Sequence, residues 1–398
     1  MFLELSHALM RPQGRMGMIV PSGIYTDKGT TNLRELFLDH CDWQWLFGFE
    51  NREGIFDIHR SFKFCALIAQ KAGNTEVIRT AFMRRNVDDW GRAEKLCLGY
   101  SAKNIGAFSP ALRAMVELSS QTDVLLLQRT YEENIPVGSL DEAWEVDYGR
   151  ELHMTDDSKL FPPRDKWVNA GYAFDDGLGI AVNQHLERYA LPLYEGRMVG
   201  FFDGLAQSWE SGKGRMAKWK DLPLREKVFR PQYLVSLEDC QSSEKIKRGL
   251  KLGVVKVSSA TNSRSLKCSL IPHYPCGESV YSLQVKDASV SKLLVLQAVL
   301  CSFAFDSFLR YRFGGVNISA YLLKECPIPR LSSFSDEILV AIAHMAARLS
   351  FVSPAYSQAA VLLDSEIGVR VPPAGKAAAL CEVERLRLRC ILDATVAH

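Results

Sequence analysis

The sequence has no paired-cysteine motif, no long apolar run and no hydrolytic constellation, and each absence removes a class of function. Its ten cysteines are scattered, with none in a Cys-x-x-Cys pair. Such usage reads as reduced, mostly buried thiols of a cytoplasmic protein, not as a disulfide framework. Cys268, His273 and Cys276 lie close together, but no fourth ligand follows at regular spacing, so no metal site is expected. The longest apolar stretch, Leu293 to Leu300 and on to Phe305, is interrupted by Gln297 and followed by Asp306. It is too short and too polar to span a bilayer, so no membrane partner is expected. The first residues, Met1 to Arg15, show no basic leader ahead of an apolar core and cleavage site, so no secretion signal is expected. Neither Gly-x-Ser-x-Gly nor His-Glu-x-x-His occurs, the eight histidines are dispersed, and no acidic cluster of nuclease type stands out.

What is present is an ordinary globular composition with charge unevenly placed. With 398 residues, 47% of them hydrophobic and 24% charged, the chain is long enough for two or three domains with proper cores. The net charge of +2 conceals two opposed blocks. From Tyr131 to Leu160 nine acidic residues face only Arg150 and Lys159; from Ser211 to Leu270 fourteen Lys and Arg face five Asp and Glu. A basic block of that density, interleaved with Trp219, Phe229 and Tyr233, is what a polyanion-binding face requires, and a solvated loop region without a partner is the alternative.

Periodicity predicts helix over Phe2 to Met10, a short buried strand over Met16 to Val20, a helix from about Asn32, and strands over Trp45 to Phe49 and Phe62 to Ala69. That order is one edge of an open α/β sheet. Further on, helix is predicted over Ser109 to Ser120, and strands over Val124 to Gln128, Trp144 to Tyr148, Met198 to Phe202, Gln232 to Val235, Leu252 to Val257 and Leu266 to Ile271. A long apolar helix is predicted over Val290 to Phe313, Pro327-Ile328-Pro329 marks a boundary, and the chain reads as helical from Asp336 to its end.

Several runs then resemble a known family in consistent order. Gly14-Arg15-Met16-Gly17-Met18-Ile19-Val20-Pro21-Ser22-Gly23-Ile24-Tyr25-Thr26-Asp27 is similar to the segment after the catalytic motif of large adenine-specific DNA methyltransferases, the type IIG restriction-modification enzymes and related phage-exclusion methylases. Leu33-Arg34-Glu35-Leu36, Gly48-Phe49-Glu50-Asn51-Arg52 and Pro192-Leu193-Tyr194-Glu195-Gly196-Arg197-Met198 continue the resemblance. So do Ala260-Thr261-Asn262-Ser263-Arg264, Asn317-Ile318-Ser319 and the terminal Leu392 to His398.

The resemblance implies a partial Rossmann-like methyltransferase sheet edge (1–75), an α+β target-recognition region (76–330) and a helical C-terminal segment (331–398). It implies double-stranded DNA as partner. It also implies a reaction in which an adenine is swung out of the stack so that its amine, otherwise engaged in pairing, attacks the methyl of S-adenosylmethionine. The sequence departs from the family at the centre of that chemistry. Its Pro-Pro pairs follow Phe161 and Val371, not Asn or Asp, and no aromatic follows them. Gly212-Lys213-Gly214-Arg215-Met216-Ala217 fits a dinucleotide-loop spacing but follows the polar Ser208-Trp209-Glu210, not an apolar strand. No catalytic residue is therefore assigned, and S-adenosylmethionine is expected to be bound by the complete enzyme but not by this chain alone. A separate N-terminal methyltransferase polypeptide would supply the chemistry. The alternative is a stand-alone DNA-binding specificity subunit or inactive remnant.

Within that frame, Phe56, Phe62 and Phe64 are the base-stacking candidates, although all three also suit a core. Lys213, Arg215, Lys218, Lys220 and Lys256 are candidate phosphate contacts, and Asn262 and Arg264 candidate readers of base edges. Tyr194, Glu195 and Arg197 are expected to organise the interface between recognition and methyltransferase parts.

Overall fold

The computed structural model describes residues 2–139, 144–258, 262–287, 289–312, 317–369 and 378–398, the side chain of Arg215 excepted. The chain is mixed α/β and divides into two compact units, Met1–Pro136 and Val137–His398.

In the first unit, β1 (Arg15–Pro21), β2 (Cys41–Glu50), β3 (Lys63–Lys71), β4 (Val77–Arg84) and β5 (Leu98–Ser101) form one sheet in the order β1-β3-β2-β4-β5. β3 runs antiparallel to both β1 and β2, β4 is parallel to β2, and β5 closes antiparallel on β4. β2, with the sequence Cys-Asp-Trp-Gln-Trp-Leu-Phe-Gly-Phe-Glu, is almost continuously buried, as a central strand covered on both faces must be. Helix α1 (Phe2–Leu9) ends where Lys71 Nζ donates to the carbonyls of His7 and Met10, a cation satisfying the orphan acceptors of a helix C-terminus. Helix α2 (Thr31–His40) packs Phe37 edge-on to Trp43 of β2 at 5.8 Å.

Arg34 of α2 is fully buried and its guanidinium donates to the carbonyls of Ile24, Asp27 and Leu112 and to Thr30 Oγ1. A buried charge is tolerated only when its donors are used, and here one arginine ties the turn after β1 to the segment following Phe108. The sheet begun in residues 1–75 continues through β4 and β5, so position 75 falls inside one sheet.

Two predicted elements in this unit change identity. Residues 109–120, read as helix, are irregular. The preceding helix stops at Phe108, because Pro110 disfavours helical geometry at Ser109, and the segment instead runs through a turn without regular structure, with Leu112, Met115, Val116 and Leu118 buried. Val124 to Gln128, read as strand, lies inside helix α3 (Gln121–Glu133). Ser120 and Asp123 form a reciprocal cap there, and Val124 and Leu127 bury one face. A run of three leucines does not by itself distinguish the two periods.

The second unit holds β6 (Asp147–Gly149), β7 (Ala173–Asp175), β8 (Ile180–Asn183), β9 (Arg188–Pro192), β10 (Gln207–Ser211), β11 (Lys218–Asp221), β12 (Leu234–Ser236), β13 (Lys251–Val255), β14 (Cys268–Ile271) and β15 (Val280–Gln284). They form two antiparallel four-stranded sheets, β12-β9-β8-β7 and β14-β13-β15-β6, and a separate hairpin β10-β11. Met198 to Phe202, read as strand, is the end of a tight helical turn followed by a second turn bridged from Gly200 to Asp203, and the strand expected from Trp144 begins only at Asp147.

Helix α4 (Val290–Leu300) is buried on every side and forms the hub of the helical part, packing against β14 and against α6 (Asp336–Ser350), α7 (Ser357–Ile367) and α8 (Glu382–Ala397). The long helix expected to Phe313 is broken. Ser302 Oγ accepts from Phe305 N and starts α5 (Phe303–Arg312) at 61° to α4, while Phe313 lies outside the described residues. The continuous C-terminal helix is three helices, with Ser353-Pro354 ending the first linkage; Val371-Pro372-Pro373 lies outside the described residues. Beneath β13, Lys251 Nζ and Glu151 Oε1 form an ion pair of 2.6 Å with neither side chain exposed, and the other carboxylate oxygen accepts Cys276 N. Among the described residues no single helix is long and apolar enough to cross a membrane.

Candidate nucleic-acid interface

The basic block folds into two parts with different fates. The first is the hairpin β10-β11. Trp209 stands opposite Trp219 across the two strands, and Trp219 packs on the cluster that contains Tyr194, Met198, Phe229 and Tyr274. Side chains alternate along a strand, so seating Trp219 on that core sends Lys218 and Lys220 to the other side, where both are exposed. The turn is pinned: Trp209 Nε1 donates to the Gly212 carbonyl at 3.0 Å and Gln232 Nε2 donates to the same oxygen at 3.3 Å. Gly212 has φ +79°, and a Cβ there would lie 2.3 Å from the Met216 carbonyl oxygen, so only glycine fits.

Lys213 is exposed beside this glycine. None of Lys213, Lys218 and Lys220 has an ion-pair partner among the described residues, while Glu210 and Asp221 are the acidic residues on the same hairpin. Arg215 lies in the turn, its side chain outside the described residues. The glycine-spaced run is thus a hairpin turn between two strands, not a strand-to-helix loop, and it does not build the phosphate-cradling helix start of a dinucleotide site.

In the second part, Lys256 and Arg264 are engaged internally. Lys256 Nζ lies 3.3 Å from Glu278 Oε1, and Ile318 N donates to its carbonyl. Partial burial pushes Glu278 up, but Lys256, with His153 and Arg150 beside it, holds its carboxyl below the ordinary range. Arg264 Nη2 pairs with Asp393 Oδ2 of α8 at 2.8 Å, and its guanidinium lies over the Phe303 ring. Asp393 also accepts Phe303 N, so the arginine sits in a three-way clamp between its loop, α5 and α8. Asn262 is exposed and gives its carbonyl to Arg310 Nη2. Ala260 and Thr261, in the same run, lie outside the described residues.

Pro192 to Met198 builds the floor of the second unit. Tyr194 is fully buried, edge-on to Phe229 at 5.3 Å and near Tyr274. Burial, with the Tyr356 hydroxyl close by, pushes its phenol well above the usual value. Burial also pushes the Glu195 carboxyl up to about 8, and its Oε2 has no hydrogen-bond partner among the described residues. Arg197 is exposed.

In the first unit, the loop after β2 is organised by Asn51, a buried residue not singled out in the sequence. Its Nδ2 donates to the carbonyls of Phe56 and Ile58 while its Oδ1 accepts Phe56 N. Phe56 is thereby presented at 41% exposure, edge-on to Phe64 at 4.9 Å. Phe64 is buried and stacks on Phe49, so it belongs to the core. Phe62, 58% exposed, precedes β3 instead of alternating with Phe64 within it. Among the described residues no group of three or more His, Cys, Asp or Glu is placed to hold a metal.

No family model matches the chain, and no curated protein matches it. Solved structures similar to it are restriction-modification enzymes. A modification subunit of a putative type I restriction enzyme from Vibrio vulnificus YJ016 is 18% identical over 26% of this chain and 27% of its own, with a TM-score of 0.23. The type IIG restriction endonuclease BpuSI is 10% identical, covering 99% of this chain and 48% of its own, with a TM-score of 0.31. The type IIL restriction-modification enzyme MmeI, solved in complex with DNA, is 13% identical, covering 99% of this chain and 48% of its own, with a TM-score of 0.41. The chain spans less than half the length of each of these structures.

Proposed function

We propose that this chain is the DNA-recognition portion of a site-specific N6-adenine DNA methyltransferase of a restriction-modification or phage-defence system. The observation that carries DNA contact is the hairpin β10-β11, whose three lysines without ion-pair partners stand on a ribbon narrow enough to follow a groove. These lysines sit on phosphates and set register, releasing counterions as they bind.

The methyl-transfer part of the reading rests on the resemblance that starts at Gly14. The inverted β3 between the mutually parallel β1 and β2 supports a Rossmann-like methyltransferase edge there. Phe56, held out by Asn51, would stack on an extruded base, at about 1–3 kcal/mol for such a contact. S-adenosylmethionine belongs to the complete enzyme. The one glycine-spaced run here is a hairpin turn and does not fit that cofactor, so no step through it is assigned to these residues. A methyltransferase polypeptide would add to β1, which is paired on one side only among the described residues.

The test is fluorescence anisotropy of the full chain with a labelled duplex at low and moderate salt, followed by methyl transfer after adding the front part of a related enzyme. Salt-sensitive binding with restored transfer supports the reading. Absence of duplex binding at low salt sinks it.

A further inference from the structure

The tip of the hairpin carries a feature that phosphate contact does not use. Met216, in the turn Gly214–Met216, is 80% exposed, the highest value among the large exposed apolar side chains of the described residues. An unbranched apolar side chain in water at a loop tip contributes nothing to the core. Here the backbone beneath it is fixed by two donors on the Gly212 carbonyl and by hydrogen bonds from Met216 N to the Lys213 carbonyl and from Ala217 N to the Gly214 carbonyl. It is flanked by Lys213, Lys218 and Lys220, all exposed.

We infer that Met216 is an apolar wedge that inserts between adjacent base pairs of duplex DNA while the flanking lysines hold the phosphates, so that the hairpin distorts the duplex it binds. Proteins that deform DNA use methionine, leucine or phenylalanine in this way, exchanging lost base stacking for contact with a bent duplex. A wedge must be stiff at its base, or the cost of ordering it on binding cancels the contact, and the pinned turn supplies that stiffness. The occupant is double-stranded DNA, in line with the binding reading above, because the three exposed lysines outnumber Glu210 and Asp221 on the hairpin and leave the tip with a net positive charge.

The inference rests on the DNA-binding reading above, and its test separates the two. The full chain is titrated into short duplexes carrying a donor–acceptor pair at their ends and 2-aminopurine in the middle, and the variants Met216→Ala and Met216→Leu are compared. The wild-type chain brings the ends closer and raises 2-aminopurine emission. Met216→Ala abolishes both signals and weakens binding about tenfold, equivalent to about 1.4 kcal/mol, and Met216→Leu retains them. Since Met216 is outside the core, unchanged melting temperatures for both variants show that the loss is not one of folding. Undistorted DNA in the wild-type complex, or distortion that survives Met216→Ala, overturns the wedge and leaves DNA binding standing. If no protein binds duplex, the functional reading itself falls, and the wedge with it.

Discussion

Lys218 and Arg264 stand in the same basic block and look interchangeable as polyanion contacts, yet the fold treats them oppositely. The hairpin that carries Lys218 seats Trp219 on the core and leaves its lysines without ion-pair partners among the described residues. The loop that carries Arg264 is tied by Asp393, Phe303, Asp306 and Glu278 into the protein's own framework. A count of positive residues therefore overstates a binding face. What matters is which cations have no partner inside the protein, since an arginine already paired and stacked has given up the geometry with which it would read a base.

The contrast can be broken from either side. The largest effect is expected at Lys251, which belongs to the same basic block but serves only the fold. Lys251→Met leaves Glu151 buried without its cation and costs about 3–5 kcal/mol, read as a lower denaturation midpoint. Next is the hairpin: replacing Lys213, Lys218 and Lys220 together by alanine weakens duplex binding roughly a hundredfold at low salt, with the melting temperature unchanged. Arg264→Ala goes the other way. It lowers stability by about 1–3 kcal/mol, through the unpaired and largely buried Asp393, and leaves nonspecific duplex affinity in place.

Glu195 sharpens the comparison as a largely desolvated carboxyl with no ion-pair partner among the described residues. Its folded pKa of about 8 lies above the ordinary 4.5, so the stability it permits is present below about 4.5 and is lost as pH rises toward 8. Glu195→Gln is accordingly more stable than wild type at pH 8, and the difference closes as the pH approaches 4.5. The smallest effect is at Lys256→Ala, under about 1 kcal/mol in denaturant because the Glu278 pair is partly solvated.

Much of the first unit is legible in the sequence because its strands are long and their apolar character continuous. Met16 to Val20, Trp45 to Phe49 and Phe62 to Ala69 all fall on strands of one sheet, apart from Phe62 itself. The second unit is less legible where single polar groups decide. Ser302 ends one helix and starts another inside a largely apolar stretch, and a reciprocal cap at Ser120 turns a leucine-rich strand pattern into helix.

At the candidate interface, the hairpin's lysines are legible as part of a dense basic block, but the two strands that carry them are not among the predicted elements. The engagement of Arg264 is not legible either, because its partner Asp393 is 129 positions away, just as Glu151 is 100 positions from Lys251. Sequence proximity carries no record of such pairs. Met216 and Asn51 are not legible for a related reason: one matters by its exposure and the other by its burial, and neither residue type announces which.

The most direct measurement is the slope of log binding constant against log salt for a random-sequence duplex, between about 50 and 200 mM, for three proteins. These are the wild type, the chain lacking Lys213, Lys218 and Lys220, and the chain lacking Lys256 and Arg264. Three lost phosphate contacts reduce the slope by about 2.7 in the hairpin variant, while the Lys256 and Arg264 variant keeps the wild-type slope. An unchanged slope in the hairpin variant, with a shallower one in the other, would contradict the assignment of DNA contact to the unpaired lysines.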